Sequence, residues 1–319
     1  MTARRPLSTV ARARVETLEI RTADGWSLRA DVHEPEGPLV GVVVLAHALM
    51  ARRSEFDKPE GAGLGAFFAS RGWCAVPFDF RAHGESGPTV REGGQHTYDD
   101  LVSGDMPAMC AFARERAGRK KPVVVLGHSL GGHVALAAQG SGAIHADAIV
   151  GIGSAPWLQR LEGSLGLWLA KRGLIEGLGV VSRAMGRFPA RAIGLGSDDV
   201  AGPWIRDFQR YARTDRWTSA DGRVDYLEAL GRVRIPVLQV VSEGDWLECT
   251  PACGERFVAA CGGPTEVIRV ARRDDGGKPP GHMALVTSGR LGSVRGRIEA
   301  WMRSRLGLPA LRAQTRTAG

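Results

Sequence analysis

Serine becomes a strong nucleophile only when other groups serve it: a base to take the Oγ proton, an acid to orient that base, and N–H donors for the oxyanion that forms on the attacked carbonyl. Ser129 stands in Gly127-His-Ser-Leu-Gly131, between the apolar run at 123–126 and a helix-like pattern of Val134, Ala135, Leu136 and Ala138. A serine on a sharp strand-to-helix turn has its Oγ pushed out at the top of a sheet, and glycines leave room for so tight a backbone. A G-x-S-x-G string arises by chance in roughly one chain in three of this composition, so its flanks carry the weight. Asp245, just past the apolar run at 235–241, is the candidate acid, with Glu243 as its competitor. His282, in the loop Pro279-Pro-Gly-His, is the candidate base. The amide of Leu130, at a helix N-terminus with a favourable dipole, is the first candidate oxyanion donor.

The elements that must hold these groups can be read in order. Residues 15–21 and 26–33 alternate apolar and polar around Ala23-Asp24-Gly25, as an antiparallel hairpin does. The continuous apolar run at 41–46 suits a strand buried on both faces. A helix at about 61–71 leads to a strand at 74–80, and a helix at about 98–116 precedes the 123 strand and its elbow helix. Residues 148–152 form a further strand. This alternation predicts a parallel sheet. From Ser154 to about Arg232 the rhythm breaks into a stretch with Trp157, Trp168, Trp204, Trp217 and many glycines, helical in patches and without a clear strand. Alternation resumes with a strand at 235–241, a helix near 251–261, a strand at 265–270 and a last helix at about 288–306. The predicted division is a disordered basic N-terminus at 1–14, a core at 15–153 and 233–306, a helical lid inserted after the sixth strand at 154–232, and a basic tail at 307–319.

With Gly-His-Ser-Leu-Gly-Gly132 and the segment Phe78-Asp79-Phe-Arg-Ala-His-Gly-Glu-Ser86-Gly87, the chain resembles a bacterial serine hydrolase of the α/β-hydrolase superfamily, near its esterase, lipase and serine-aminopeptidase branch. The likeness covers roughly residues 15–155 and 233–306 and implies an α/β-hydrolase fold, a mostly parallel twisted sheet flanked by helices. It also implies the chain order serine, acid, histidine, which Ser129, Asp245 and His282 follow. The second oxyanion donor should come from the loop Ala46-His-Ala-Leu-Met50; Leu49 N–H is the expected donor and Met50 its neighbour. Two departures stand out: Ala48 where glycine usually follows the loop histidine, and Ala82 where Arg-Gly-His-Gly is commoner. A positive φ at Ala48 would strain an alanine. Asp79, Arg81 and Ser86 belong to a loop with a structural role. Met50, His128, Trp157 and Trp246 are assigned to substrate lining, with packing or elbow support as the alternative for His128 and for His133.

Bulk properties exclude several classes. The 319 residues carry a net charge of +8, but four arginines before Val15 and four after Met302, without any acid, account for the whole excess. The core is near neutral, so a basic nucleic-acid face is not expected. Five cysteines without paired CxxC spacing suit reduced thiols, and the Cys249 and Cys253 pair has no histidine nearby to complete a metal site. No apolar signal core precedes Glu16, and no run approaches the roughly 18 residues of a membrane span. The expected protein is cytoplasmic, without metal or organic cofactor, acting on a small apolar ester or acyl substrate; oligomeric state is not legible. The expected activity is carboxylic-ester hydrolysis through an acyl-enzyme. An acyltransferase, thioesterase, peptidase, lactonase or C–C bond hydrolase would use the same triad, and a non-catalytic ligand-binding scaffold is the rival from another class.

Overall fold

The computed structural model describes residues 14–35, 37–274 and 277–311. The expected disorder of residues 1–13 and the tail beyond 311 lie outside the described residues. Eight strands form one sheet in the order β1-β2-β4-β3-β5-β6-β9-β10. They are β1 Val15–Arg21, β2 Ser27–His33, β3 Gly41–Ala46, β4 Trp73–Phe78, β5 Val123–His128, β6 Ala148–Ile152, β9 Val237–Ser242 and β10 Thr265–Val270. β1 and β2 pair antiparallel, β2 meets β4 antiparallel, and every other pairing is parallel. This is the mostly parallel sheet that the alternating strands and helices predict, in the α/β-hydrolase arrangement that the resemblance implies.

The continuous apolar runs are explained by burial on two faces. In β3, Val42, Val44 and Ala46 enter one core cluster while Val43 and Leu45 enter the other; Val123 and Val125 of β5 part in the same way from Val124 and Leu126. Successive side chains of a strand point to opposite faces, so a strand covered by helices on both sides must be apolar throughout. Helices Met106–Ala117, Leu130–Ser141 and Pro251–Val258 cover the first face, and Leu64–Ala69 and Gly292–Arg305 cover the second.

Three details differ from the sequence reading. The helix expected over 98–116 is interrupted by a π turn, Leu101–Asp105. This extra residue turns Asp105 inward, where it accepts from Arg81 N (2.8 Å) and Arg81 Nε (2.6 Å). π bulges commonly serve such a side-chain requirement. The stretch between β6 and β9 contains helices Leu165–Met185 and Gly202–Thr214 but also a two-residue ribbon, β7 Arg187–Phe188 against β8 Val200–Ala201, too short to leave an alternating pattern. Arg303, counted in the sequence with the basic end, is a buried residue of the last helix that ion-pairs with Glu299 and donates to Arg71 O and Pro309 O, both at 2.8 Å.

Candidate active site

Ser129 caps the N-terminus of helix Leu130–Ser141 with φ 50° and ψ −113°, a conformation that costs a residue with a Cβ about 1–3 kcal/mol. Close approach explains the glycines around it: a Cβ on Gly127 would lie 2.1 Å from Gly132 N, and one on Gly131 would lie 2.1 Å from Ala46 O. The Ser129 amide donates to Ile152 O (2.8 Å), and Ser154 Oγ donates to Ser129 O (2.8 Å). The elbow is therefore laced to the end of β6.

The base reaches that same segment from the other side. A Cβ on Gly153 would stand 3.1 Å from His282 Nδ1. His282 Nδ1 lies 2.6 Å from Asp245 Oδ2, and Asp245 Oδ1 accepts the amides of Glu248 and Cys249, each at 3.0 Å. A carboxylate only accepts, so the proton of the imidazole sits on Nδ1 and Nε2 keeps its lone pair. Burial raises the Asp245 carboxyl, but the hydrogen bond from His282 and its charge outweigh that and hold it below the ordinary value. Ser242 Oγ donates to Pro280 O (2.5 Å), fixing the β9 end to the loop of His282. Ser129 and His282 are thus both set against residues 152–154, and Asp245 holds His282 from the end of β9. Glu243 is exposed and its amide bonds to Val270 O, away from the dyad.

The loop after β3 lies against the elbow through Ala46. Ala48 N–H donates to Glu55 Oε1 (3.0 Å) and Ala51 N–H to Ala48 O (3.2 Å). Among the described residues no acceptor is bonded to the amides of Leu49 or Met50. Leu130 is the first residue of its helix, so its N–H has no intrahelical partner either. The glycine-to-alanine departures now separate. Ala48 has no positive φ; Met50 takes it instead, at 63°, while Ala82 takes φ 62° in the Asp79 loop and carries the strain a glycine would avoid. His47 is wholly buried, donating through Nδ1 to Ala48 O (2.7 Å) and accepting Phe80 N–H at Nε2 (3.0 Å); burial pushes its imidazole down to about 4.

Two expected lining residues move. His128 is fully buried in β5, with Nδ1 at 3.2 Å from both oxygens of Glu55 and Nε2 at 3.3 Å from His282 O. It supports the elbow and offers no surface to a substrate. Trp246 is 72% exposed beside Asp245 and points to solvent. Trp157 is half-buried, donating to Glu248 O (2.9 Å) with Lys171 Nζ 4.8 Å from its ring. Trp168, Trp204 and Trp217 are packed in the core, the plainer reading of the tryptophan-rich stretch.

Sequence reasoning missed Glu55 and Glu248. Glu55, 3% exposed, joins the Ala48 amide to His128 and so the β3 loop to the carbonyl of His282. It lies in the charged string Arg52-Arg-Ser-Glu-Phe-Asp57, which reads as surface, and nothing local marks it. Replacing it by glutamine would set an amide N–H₂ against two donors. Glu55→Gln is expected to lower kcat about 100-fold with KM little changed, since small misplacements cost that much; unchanged steady-state kinetics would remove Glu55 from the site. Glu248 has donor atoms within 4.8 Å of those of Asp245 and His282, a spacing at which a cation could be held. The 2.6 Å Asp245–His282 contact is a hydrogen-bond length, whereas ligands at about 2.0 Å from a tetrahedral zinc stand about 3.3 Å apart, so the set as it stands is not shaped for one. Burial lifts the Glu248 carboxyl above its ordinary value, against the pull of His282.

The insertion touches this machinery twice. Met50 O accepts the amides of Ser197 (2.7 Å) and Asp198 (3.3 Å), while the Asp198 carboxylate takes Arg52 Nε (2.5 Å), Arg52 Nη2 (2.7 Å) and Gly84 N–H (3.0 Å). On the other side, buried Lys171 ion-pairs with Glu162 and reaches Glu248 O at 3.4 Å. No helix among the described residues is long and apolar enough to cross a membrane.

A sheet of this topology with a serine at its β5 elbow defines a class, and the sequence profile of the alpha/beta hydrolase family matches residues 43–293. The chain belongs to that family. No curated relative matches the sequence. Among solved structures, DcsB in complex with its substrate analogue superposes with TM-score 0.63 at 14% identity, over 92% of this chain and 100% of that one. The Pyrococcus furiosus esterase Pf2001 gives 0.61 at 16% identity, over 92% of each chain. Est1E from Butyrivibrio proteoclasticus, with ferulic acid bound, gives 0.61 at 14% identity, over 91% of this chain and 99% of that one. At these identities the likeness is one of fold.

Proposed function

We propose that this hydrolase cleaves a carboxylic ester through an acyl-enzyme on Ser129. The observation that carries the reading is the imidazole of His282, held at Nδ1 by Asp245 (2.6 Å), with Ser129 in a strained elbow tied to the same 152–154 segment. His282 Nε2 takes the Oγ proton as Ser129 attacks the acyl carbon; the carbonyl electrons move to oxygen, and the amides of Leu130 and of Leu49 or Met50 donate hydrogen bonds to that oxyanion. Collapse expels the alkoxide, which leaves with the proton from His282. Water then repeats the sequence on the acyl-enzyme and frees the acid. Asp245 keeps the imidazole in the useful tautomer and stabilises its charge.

The esterases among the structural neighbours support this choice over peptide or C–C cleavage, and Est1E, with ferulic acid bound, makes an aromatic acyl group a reasonable first substrate. A panel of p-nitrophenyl esters from acetate to palmitate, with a feruloyl ester beside it, tests the reaction. Turnover of at least one ester, with stoichiometric labelling by a fluorophosphonate probe, is expected. A chain that takes no label and turns over no ester is a ligand-binding scaffold. Product analysis with added alcohol or thiol separates hydrolysis from acyl transfer.

A further inference from the structure

Lys171 stands on helix Leu165–Met185 wholly out of solvent, and its ammonium ion-pairs with Glu162, whose side chain is buried with it. Stability gives little reason to keep such a pair. Taking two charges out of water consumes most of what their attraction returns, and an apolar pair of similar volume usually serves a fold as well. The ammonium has two further neighbours, the ring of Trp157 at 4.8 Å and Glu248 O at 3.4 Å. Trp157 Nε1 donates to that same carbonyl at 2.9 Å.

Glu248 O is one end of a peptide group whose other end touches the dyad. The C=O of residue 248 and the N–H of residue 249 share one planar trans unit and point in opposite directions. The Cys249 N–H donates to Asp245 Oδ1 (3.0 Å), beside the Glu248 N–H (3.0 Å), while Asp245 Oδ2 holds His282 Nδ1. Donors that pull on the carbonyl fix the plane of the peptide and make its N–H a stronger donor. The support is itself anchored, because Arg256 of helix Pro251–Val258 donates to Leu161 O (3.3 Å) and to Glu162 O.

We propose that Lys171 and Trp157 are positioning residues for the acid of the site, acting on Asp245 through the Glu248–Cys249 peptide. The insertion then takes part in the chemistry without touching the substrate there, and Trp157 has a role other than substrate lining. The proposal rests on Asp245 and His282 serving Ser129 as acid and base.

Two variants test it. Trp157→Phe removes the 2.9 Å donor and keeps a ring against Phe208. Lys171→Met combined with Glu162→Leu removes the ammonium without leaving a lone buried charge. In each, kcat on the best p-nitrophenyl ester is expected to fall about 10-fold with KM unchanged, as a slight misplacement of reacting groups does. The Nδ1–H proton of His282, followed by NMR in histidine-labelled protein, is expected to exchange with solvent about 10-fold faster than in the wild type, since its bond to Asp245 opens more often. A role confined to packing would lower Tm and leave that exchange rate alone. An exchange rate unchanged in both variants overturns the proposal whatever kcat does. A rise in KM at constant kcat returns Trp157 to substrate lining and overturns its part. A wild-type chain that turns over no ester defeats the Ser129 reading instead, and the exchange rate still decides whether Lys171 and Trp157 hold Asp245.

Discussion

Ser129→Ala is expected to lower kcat for ester hydrolysis about 10⁴- to 10⁶-fold while leaving the fold intact. The size follows from the way the site is wired. Base, acid and oxyanion donors act only through the oxygen that attacks, so removing it idles all of them together, and such units behave far from additively. What remains is catalysis by the oxyanion donors and by binding alone, about 10³-fold over water. Alanine can occupy the elbow conformation at no more strain than serine, so urea midpoints should agree within error. Loss of the fluorophosphonate adduct should accompany loss of turnover. A variant that retains a tenth of wild-type activity would mean that another group attacks, and the proposed mechanism would fail.

The second large effect is on stability in acid. His47, His83 and His96 are buried and contact one another in sequence, with ring centroids 5.2 Å apart for the first pair and 5.6 Å for the second. Burial lowers all three from 6.5, His47 to about 4 and His96 well below its ordinary value. His83 Nε2 and both nitrogens of His96 have no partner that could carry a charge. An unfolded chain takes up these protons as pH falls through 6.5, whereas the folded chain resists them, His47 until about 4. Stability therefore falls across that window. Each proton bound only by the unfolded state costs about 1.4 kcal/mol per pH unit, so each of these histidines steepens the fall, while the buried Asp105, raised to about 6, takes up a proton when folded and offsets part of it. Urea midpoints at pH 8, 6.5, 5.5 and 5 should drop steeply, and His96→Gln should flatten the slope by about one proton. A midpoint constant from pH 7 to pH 5 contradicts the account. Because a protonated His47 can no longer accept the Phe80 N–H at Nε2, the contact of the β3 loop with Phe80 is expected to loosen in the same range.

Much of this was legible in the residues, and for definable reasons. Strands buried on two faces must be apolar throughout, so 41–46, 123–126 and 235–241 announced themselves. The elbow needs glycines at fixed positions because backbones touch there, and that leaves a local string. Asp245 and His282 could be picked because each follows a readable element. Glu55 could not: its role depends on three segments converging, and a carboxylate that is buried only by tertiary packing looks like any surface acid in the sequence. Trp246 failed in the opposite sense, because adjacency to Asp245 in the chain says nothing about which way an indole turns. The direction of His128 was likewise hidden, since period-two alternation gives a face but not the partner waiting on it.

The Asp198 contact bears on how such proteins can be recombined. The insertion supplies the carboxylate of Arg52, an acceptor for Gly84 N–H and both donors to Met50 O. A chimera that took this stretch from another family member would strand an arginine and two backbone groups beside the reaction centre. The insertion is therefore no interchangeable cassette. Transplanting it requires carrying residues 47–52 and Gly84 along with it, so that the stretch and its partners are inherited as one piece.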